Sequence, residues 1–369
     1  MDYPLRVGYD AHALVAADKG TGKGRQLRNI LGDKLSQFVG FAPPGPSAQG
    51  PSGLSLVQRG PSKYLVWQQT ELPRMIQRAK LDVFLAPYNT APLLLPRKTT
   101  LVLVLHDLIA LEEFPGVNLR LRILFSIWRF LIPRAVARAH VILTVSEYSR
   151  QQILERFPSA RVEVIPCTIP ESWFGEQAVV PVSLRGNYLF LVTSIEPHRN
   201  LDRAFAAYAK YAAEAGESAA ELRIAGVSKR AEIVREKVDA HGLGNRVIIE
   251  PYLSDVEMQD RVRRARAIYM PSLVEGFGIP VLEGMSTGTP VLCSNVTSLP
   301  EVGGDAPAYF DPHDVDSMAA ALRSVLGDDS RCAVMSRKGI ERAQAFHPRR
   351  IEESASRFWS NLASELETS

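Results

Sequence analysis

Short β-rich runs alternate with longer helical patterns through both halves of this chain, and few folds accommodate that alternation. Strands linked through helices run parallel, and a parallel sheet needs helices over both faces. In the first half the expected strands are Leu5–Tyr9, Gln37–Phe41, Val83–Ala86, Thr100–Leu105, Val141–Val145 and Val162–Ile165. In the second they are Tyr188–Thr193, Leu222–Ala225, Val247–Ile249, Ala267–Met270 and Val291–Cys293. A length of 369 residues is too great for one ordinary domain and fits two. Prolines at 166, 170 and 181 break both helix and ladder, so the link between the halves is expected there. The Pro-, Gly- and Ser-rich segment Ala42–Gly60 reads as an exposed loop. Residues 349–366 read as an amphipathic helix, with Ile351, Phe358, Trp359 and Leu362 on or near one face.

Bulk properties exclude several classes. A formal charge of +3 is too small to argue for nucleic acid as a partner. Cys167, Cys293 and Cys332 are odd in number and widely spaced, which fits neither a disulfide framework nor a metal pattern. Met1-Asp-Tyr-Pro leads directly into a strand, and no uncharged apolar run of about 18 residues occurs. A cytoplasmic protein is expected.

The segment Ala267–Glu283 carries the sharpest chemical signal. A buried-strand pattern, Ala267-Ile-Tyr-Met270, runs into Pro271-Ser-Leu-Val-Glu-Gly-Phe-Gly-Ile-Pro280, and a helix follows with Pro280 near its first position. Such a turn leaves unpaired backbone N–H groups at a helix N-terminus, a natural seat for phosphate. Glu275 in the turn and Glu283 in the helix, seven residues apart, place carboxylates beside that anion. They make sense there if they hold sugar hydroxyls.

This segment resembles the donor site of the retaining family-four glycosyltransferases of GT-B fold. The resemblance extends to Pro251-Tyr-Leu-Ser-Asp255, Gly288-Thr-Pro-Val-Leu292 and Ser298-Leu-Pro-Glu-Val302, and covers residues 185–345 more strongly than the rest. It implies two Rossmann-like domains whose parallel sheets face an interdomain cleft. The expected division is an acceptor-binding domain at 1–170, a hinge at 171–182, a donor-binding domain at 183–345, and a terminal segment at 346–369 crossing back to the first domain. It further implies that Glu283 holds the ribose hydroxyls and Glu275 the donor sugar. The amides of Gly276, Phe277, Gly278 and Ile279 would face the diphosphate.

Ser194-Ile-Glu-Pro-His-Arg-Asn-Leu201 is similar to the family's Glu-Pro-Arg-Lys-Asn-Leu loop, whose cations neutralise the leaving diphosphate. Arg199 stands at the lysine position and His198 at the arginine position, and a histidine is neutral for much of the time at pH 7. Lys229, after another expected strand, reads either as a second cation for the diphosphate or as a solvated lysine. Lys19-Gly-Thr-Gly-Lys-Gly-Arg25 is not a phosphate-binding P-loop, because Gly24 follows Lys23 where Ser or Thr is required. It resembles instead the glycine loop after the family's first strand, preceded by Asp10-Ala11, in which Gly22 and Gly24 let amides approach the donor. His106, at the end of the apolar strand 100–105, matches a family histidine that contacts the donor sugar near the reacting carbon.

Asp314 and Asp316 read as helix-start residues rather than a metal motif, and no metal or cofactor is expected. The arginines at 261, 263, 264 and 266 read as a solvated helix face after a capping box from Ser254 to Glu257. Residues 119–132 combine arginines with large apolar residues and carry no acid. They fit either a helix buried in a domain, the favoured reading, or one lying on an anionic membrane surface. The function expected is transfer of a hexose, best mannose from GDP-mannose, to a saccharide or lipid-linked acceptor in surface polysaccharide or glycolipid assembly. A UDP-sugar donor and a GT-B nucleotide-sugar epimerase are the alternatives.

Overall fold

A computed structural model of the chain describes residues 3–15, 22–45, 55–112, 119–175 and 179–368. It packs as two compact units, Met1–Thr168 with Arg349–Ser369, and Ile169–Pro348. Residues 171–175 and 179–182 therefore go with the second unit.

The first unit holds a parallel sheet of β1 (Val7–Asp10), β2 (Val39–Ala42), β3 (Ser55–Gln58), β4 (Val83–Ala86), β5 (Thr100–Val104), β6 (Val141–Thr144) and β7 (Val162–Val164), in the order β3-β2-β1-β4-β5-β6-β7. The edge strand β3 corrects the expectation of a loop through Ala42–Gly60. Its Ser55-Leu-Val-Gln alternation is short and half-exposed, so the surrounding Pro and Gly masked it. Residues 46–54 of that segment lie outside the described residues. The central strands are buried on both faces, as parallel strands covered by helices must be.

The terminal helix Pro348–Glu367 belongs to this unit. Trp359 is fully buried, donates Nε1–H to the Ile30 carbonyl at 2.7 Å, and meets Phe38 edge-on at 5.0 Å. Glu365 accepts two bonds from Arg161, at 2.9 and 2.7 Å.

The helix Leu119–Arg138 overturns the favoured reading of burial. Leu131, Ile132, Ala135 and Val136 do enter the core, but Arg122, Ile123, Ser126, Ile127, Arg129 and Phe130 are exposed. Between residues 122 and 130 one face of the helix therefore lies on the surface, although it carries Ile123, Ile127 and Phe130.

The second unit holds β8 (Tyr188–Val192), β9 (Glu221–Ala225), β10 (Val247–Ile249), β11 (Ala267–Met270), β12 (Val291–Ser294) and β13 (Ala308–Phe310), all parallel in the order β10-β9-β8-β11-β12-β13. Strand β13, only three residues long, gave no periodic signal of its own. Among the described residues no helix is long and apolar enough to cross a membrane. All three cysteines are buried and unbonded to one another.

The expected helix starts hold: Ser254 and Glu257 form a reciprocal capping box, and Asp314 caps its helix by accepting from the N–H groups of Asp316 and Ser317. Arg266 departs from the expected solvated face. It sits at the foot of β11, paired with Asp329 and bonded to the Leu326 carbonyl at 3.1 Å.

Candidate functional site

In each sheet the strand order reverses beside the first strand, between β1 and β4 in one unit and β8 and β11 in the other. Loops leaving the carboxyl ends of strands at such a reversal diverge and open a crevice where ligands bind. Arg199 and the Glu275–Gly278 turn lie on the loops after β8 and β11, whereas Lys229 follows β9, His106 follows β5, and Gly22 and Gly24 lie in the helix Gly22–Leu31.

In the second unit β8 leads to Ser194–Asn200 and β11 to Pro271–Gly278. Three contacts lock these loops together. The Leu273 N–H donates to the His198 carbonyl at 2.8 Å. Asn200, left-handed at φ 59°, donates Nδ2–H to the carbonyls of Pro271 (3.1 Å) and Pro312 (2.8 Å). Arg199 and Glu275 form a direct ion pair, and Arg199 Nε also donates to Ser194 Oγ at 3.3 Å.

The turn itself depends on its glycines. Gly278 caps the helix Ile279–Ser286 at φ 96°, and a Cβ there would meet Leu299 Cδ2 at 2.5 Å. Pro280 sits in the first helical turn, where its missing N–H costs nothing. Gly284 brings the helix hard against the sheet, since a Cβ would lie 2.8 Å from both Ile268 and Val291. Glu283 lies within this helix, 5% exposed, and its carbonyl accepts from Ser286 and Thr287 hydroxyls at 3.0 Å each. Phe277 is buried against Phe346, edge-on at 5.4 Å.

The ring of His198 is neutral at physiological pH. Burial, then the neighbouring Arg199 cation, push its pKa down to about 4. Arg199 therefore supplies the fixed positive charge of this loop. Lys229 is exposed in a short turn after β9. Just before it Gly226, at φ 90°, passes so close to β8's end that a Cβ would lie 2.4 Å from the Thr193 carbonyl oxygen. The β9 loop is thereby drawn beside the β8 loop.

Thr297, Ser298 and Asn200 complete this framework and were not singled out from sequence. Thr297 Oγ1 accepts the Glu275 N–H at 3.2 Å, and Ser298 Oγ donates to the Glu275 carbonyl at 2.9 Å. Thr297 is strained, with φ at 57° in a β-branched residue. Ser298 opens the Ser298–Val302 segment and Thr297 precedes it, and the likeness of that segment to the family was the available signal.

His106, Gly22 and Gly24 belong to the first unit. Gly22 and Gly24 do not form a loop: they open the helix Gly22–Leu31, so the loop reading is corrected, and residues 16–21 before them lie outside the described residues. Glycine is a poor helix former, which hid the helix start. His106 Nε2 lies 3.1 Å from the Pro87 carbonyl, which can only accept, so this nitrogen carries the proton. Its backbone N–H donates to Asn89 Oδ1 at 3.0 Å.

A second constellation surrounds the reversal between β1 and β4. Asp10 is buried and accepts from the His12 N–H at 3.0 Å and the Tyr64 hydroxyl at 2.8 Å. Burial raises its pKa to about 7 against those two bonds. Gln68 donates to Tyr64 at 2.9 Å and to Thr90 at 3.1 Å, the Tyr88 hydroxyl accepts the Ala13 N–H at 2.6 Å, and the His12 ring stacks on Tyr64 at 4.6 Å.

Two family descriptions match the chain in succession: "Glycosyltransferase Family 4" over residues 36–173 and "Glycosyl transferases group 1" over residues 176–342. O-antigen chain mannosyltransferase B of Escherichia coli is 30% identical over 217 residues, a match covering 56% of this chain and 57% of that protein. The chain thus aligns with little more than half of that relative. Among solved structures, sucrose-phosphate synthase of Thermosynechococcus elongatus superposes with TM-score 0.77 at 16% identity, covering 98% of this chain and 100% of that one. Anabaena HepE, solved with UDP and glucose, gives 0.73 at 15% identity, covering 96% and 99%. With two parallel-sheet Rossmann-like units and both family matches, the chain belongs to the family-four glycosyltransferases of GT-B fold.

Proposed function

We propose that the protein is a retaining hexosyltransferase that moves mannose from GDP-mannose to a hydroxyl of a saccharide or lipid-linked acceptor in surface-polysaccharide assembly. The observation that carries this reading is the meeting, at one strand-order reversal, of the Gly276–Gly278 turn, the Arg199–Glu275 pair and the helix bearing Glu283. The resemblance to O-antigen chain mannosyltransferase B supports mannose as the sugar.

In this proposal Glu283 accepts two hydrogen bonds from the ribose diol, as an ionised carboxylate does well. Glu275, fixed at both backbone atoms by Thr297 and Ser298, orients the donor sugar. The amides of Gly276, Phe277, Gly278 and Ile279, with Arg199 and Lys229, take up charge on the departing diphosphate. Preorganised donors aimed at developing charge are commonly worth ~3 kcal/mol each. The C1–oxygen bond to the diphosphate breaks, the acceptor oxygen bonds C1 on the same face, and the acceptor's proton passes to the leaving phosphate. Neutralisation by protein groups leaves no step that calls for a metal, so a chelator is expected to leave the rate unchanged. His106, Gly22 and Gly24 keep donor-contacting roles within the proposal, tested by His106→Ala turnover.

Thermal shift with GDP, UDP, ADP and their sugar conjugates tests the reading on wild type and Glu283→Gln. A ligand at 100 times its dissociation constant adds ~2.7 kcal/mol of apparent stability. Stabilisation by GDP and GDP-mannose, diminished in the variant, is the expected result. The absence of any shift at millimolar nucleotide, with folded protein, would sink the donor site. Stabilisation by UDP alone would favour a UDP-hexose donor, a reading that HepE's complex with UDP and glucose supports. Turnover of nucleotide sugar without acceptor would point to an epimerase.

A further inference from the structure

We propose that His12 binds a hydroxyl of the acceptor, and that the acceptor it reads is an uncharged saccharide. The proposal deepens the transferase reading above and rests on it. His12 follows β1 in the first unit, where its half-buried ring stacks on Tyr64, 4.6 Å between centroids and 23° from parallel. Tyr88 stands edge-on to both rings, 6.5 Å from His12 and 6.0 Å from Tyr64. The polar groups that build this aromatic corner are already engaged. Asp10 accepts from the His12 N–H and the Tyr64 hydroxyl, Gln68 donates to that hydroxyl, and the Tyr88 oxygen accepts the Ala13 N–H. The ring nitrogens of His12 are the exception: among the described residues no hydrogen bond reaches them. They are held in place beside a strand-order reversal, at the strand ends where open α/β sheets bind ligands.

Ring chemistry selects the ligand. Burial lowers the His12 pKa, so the ring is neutral near pH 7 and presents an N–H donor and a bare nitrogen acceptor. A sugar hydroxyl both donates and accepts, so it pairs with either nitrogen. An oxygen of phosphate or of an ionised carboxylate only accepts, and it gains no charge assistance from a neutral ring. Aromatic walls with a few convergent polar atoms are the usual lining of a small-ligand site. The loop after β4 ties this corner to His106. Asn89, left-handed at φ 60°, accepts the His106 N–H at 3.0 Å, and the Pro87 carbonyl accepts from His106 Nε2 at 3.1 Å. Tyr88, between them in sequence, packs against His12. One three-residue loop therefore braces both histidines, His12 for the acceptor and His106 for the donor sugar.

The test is steady-state transfer to methyl α-mannoside, with the nucleotide sugar that gives the thermal shift as donor. His12→Phe keeps a ring to stack on Tyr64 and loses both nitrogens. Its acceptor KM should rise about tenfold, the loss of roughly one good hydrogen bond, while kcat stays within about twofold. His12→Gln restores a donor and an acceptor without the ring and should recover part of that rise. Both variants should keep the wild-type Tm and nucleotide Kd. An unchanged acceptor KM in His12→Phe overturns the proposal. So does a rise that His12→Gln fails to relieve, because packing alone would then be at work. If wild type shifts with nucleotide but transfers nothing to the mannoside, the proposal falls and the donor site stands. No shift with any nucleotide sinks the transferase reading, and this proposal with it.

Discussion

Both sheets reverse their strand order beside their first strand, and both gather polar residues there, but by opposite means. At the β1/β4 reversal Asp10, Tyr64, Gln68, Tyr88 and Thr90 bond to one another, and the carboxyl is pushed toward neutrality. At the β8/β11 reversal Arg199 and Glu275 form an ion pair on loops held by a backbone bond and by Asn200. A network that satisfies itself stiffens a strand end. A charged pair on a braced loop can exchange partners when a diphosphate and a sugar arrive. On the proposed function the same topology serves anchoring in one unit and chemistry in the other, a comparison that mutation can break.

The largest effect is expected at Glu275. Glu275→Ala removes the carboxylate without touching the backbone bonds to Thr297 and Ser298, so kcat should fall ~100- to 1,000-fold. Nucleotide affinity should move far less, because the diphosphate seat remains. A variant with a normal kcat would end the distinction between the two reversals. Next comes Glu283→Gln, which weakens charge-assisted bonds each worth ~1.5–3 kcal/mol. Nucleotide Kd, by titration calorimetry, should rise roughly ten- to hundredfold, with Glu283→Ala reserved for confirmation because the site is buried.

Much of this contrast was legible in the sequence on one side only. Strand, glycine turn and helix at 267–283 were readable because each step has its own chemistry: an apolar run, Gly278 where only positive φ fits, Pro280 at a helix start. The Arg199–Glu275 pair was not, because 76 residues of chain separate its partners and parallel topology alone brings them together. Asp10 was visible only as part of a family-like dipeptide. Its partners Tyr64, Gln68 and Tyr88 come from a helix and a strand end that carry no motif. The exposed face at 122–130 was misjudged because periodicity reports where apolar residues lie and not what covers them.

Asp10 gives the third test. An unfolded carboxyl ionises near 3.8, while in the fold the value lies at about 7. Between these the unfolded chain releases a proton that the folded chain keeps, so stability falls as pH rises from about 4 to 7 and then levels. Asp10→Asn removes that slope. Its Tm should rise relative to wild type by roughly 10 °C between pH 4.5 and 8 (about 3 kcal/mol for a unit of this size). A constant difference across that range would mean Asp10 is ionised and the first reversal is charged after all.

His198 is expected to show the smallest effect on binding and the opposite slope on stability. Its ordinary pKa of 6.5 falls to about 4 on folding, through burial and then Arg199. The unfolded chain therefore takes up a proton that the folded chain refuses. Stability is full above about 6.5 and is lost as pH drops toward 4, the same window in which Asp10 acts in reverse. A neutral ring lends no charge to a diphosphate, so His198→Gln should change nucleotide Kd less than about twofold at pH 7.5, within the usual range of surface substitutions. The same variant should flatten the acid limb of the second unit's melting curve. Should Kd instead rise tenfold, the ring is protonated beside Arg199, and the β8/β11 reversal then carries two cations against Glu275.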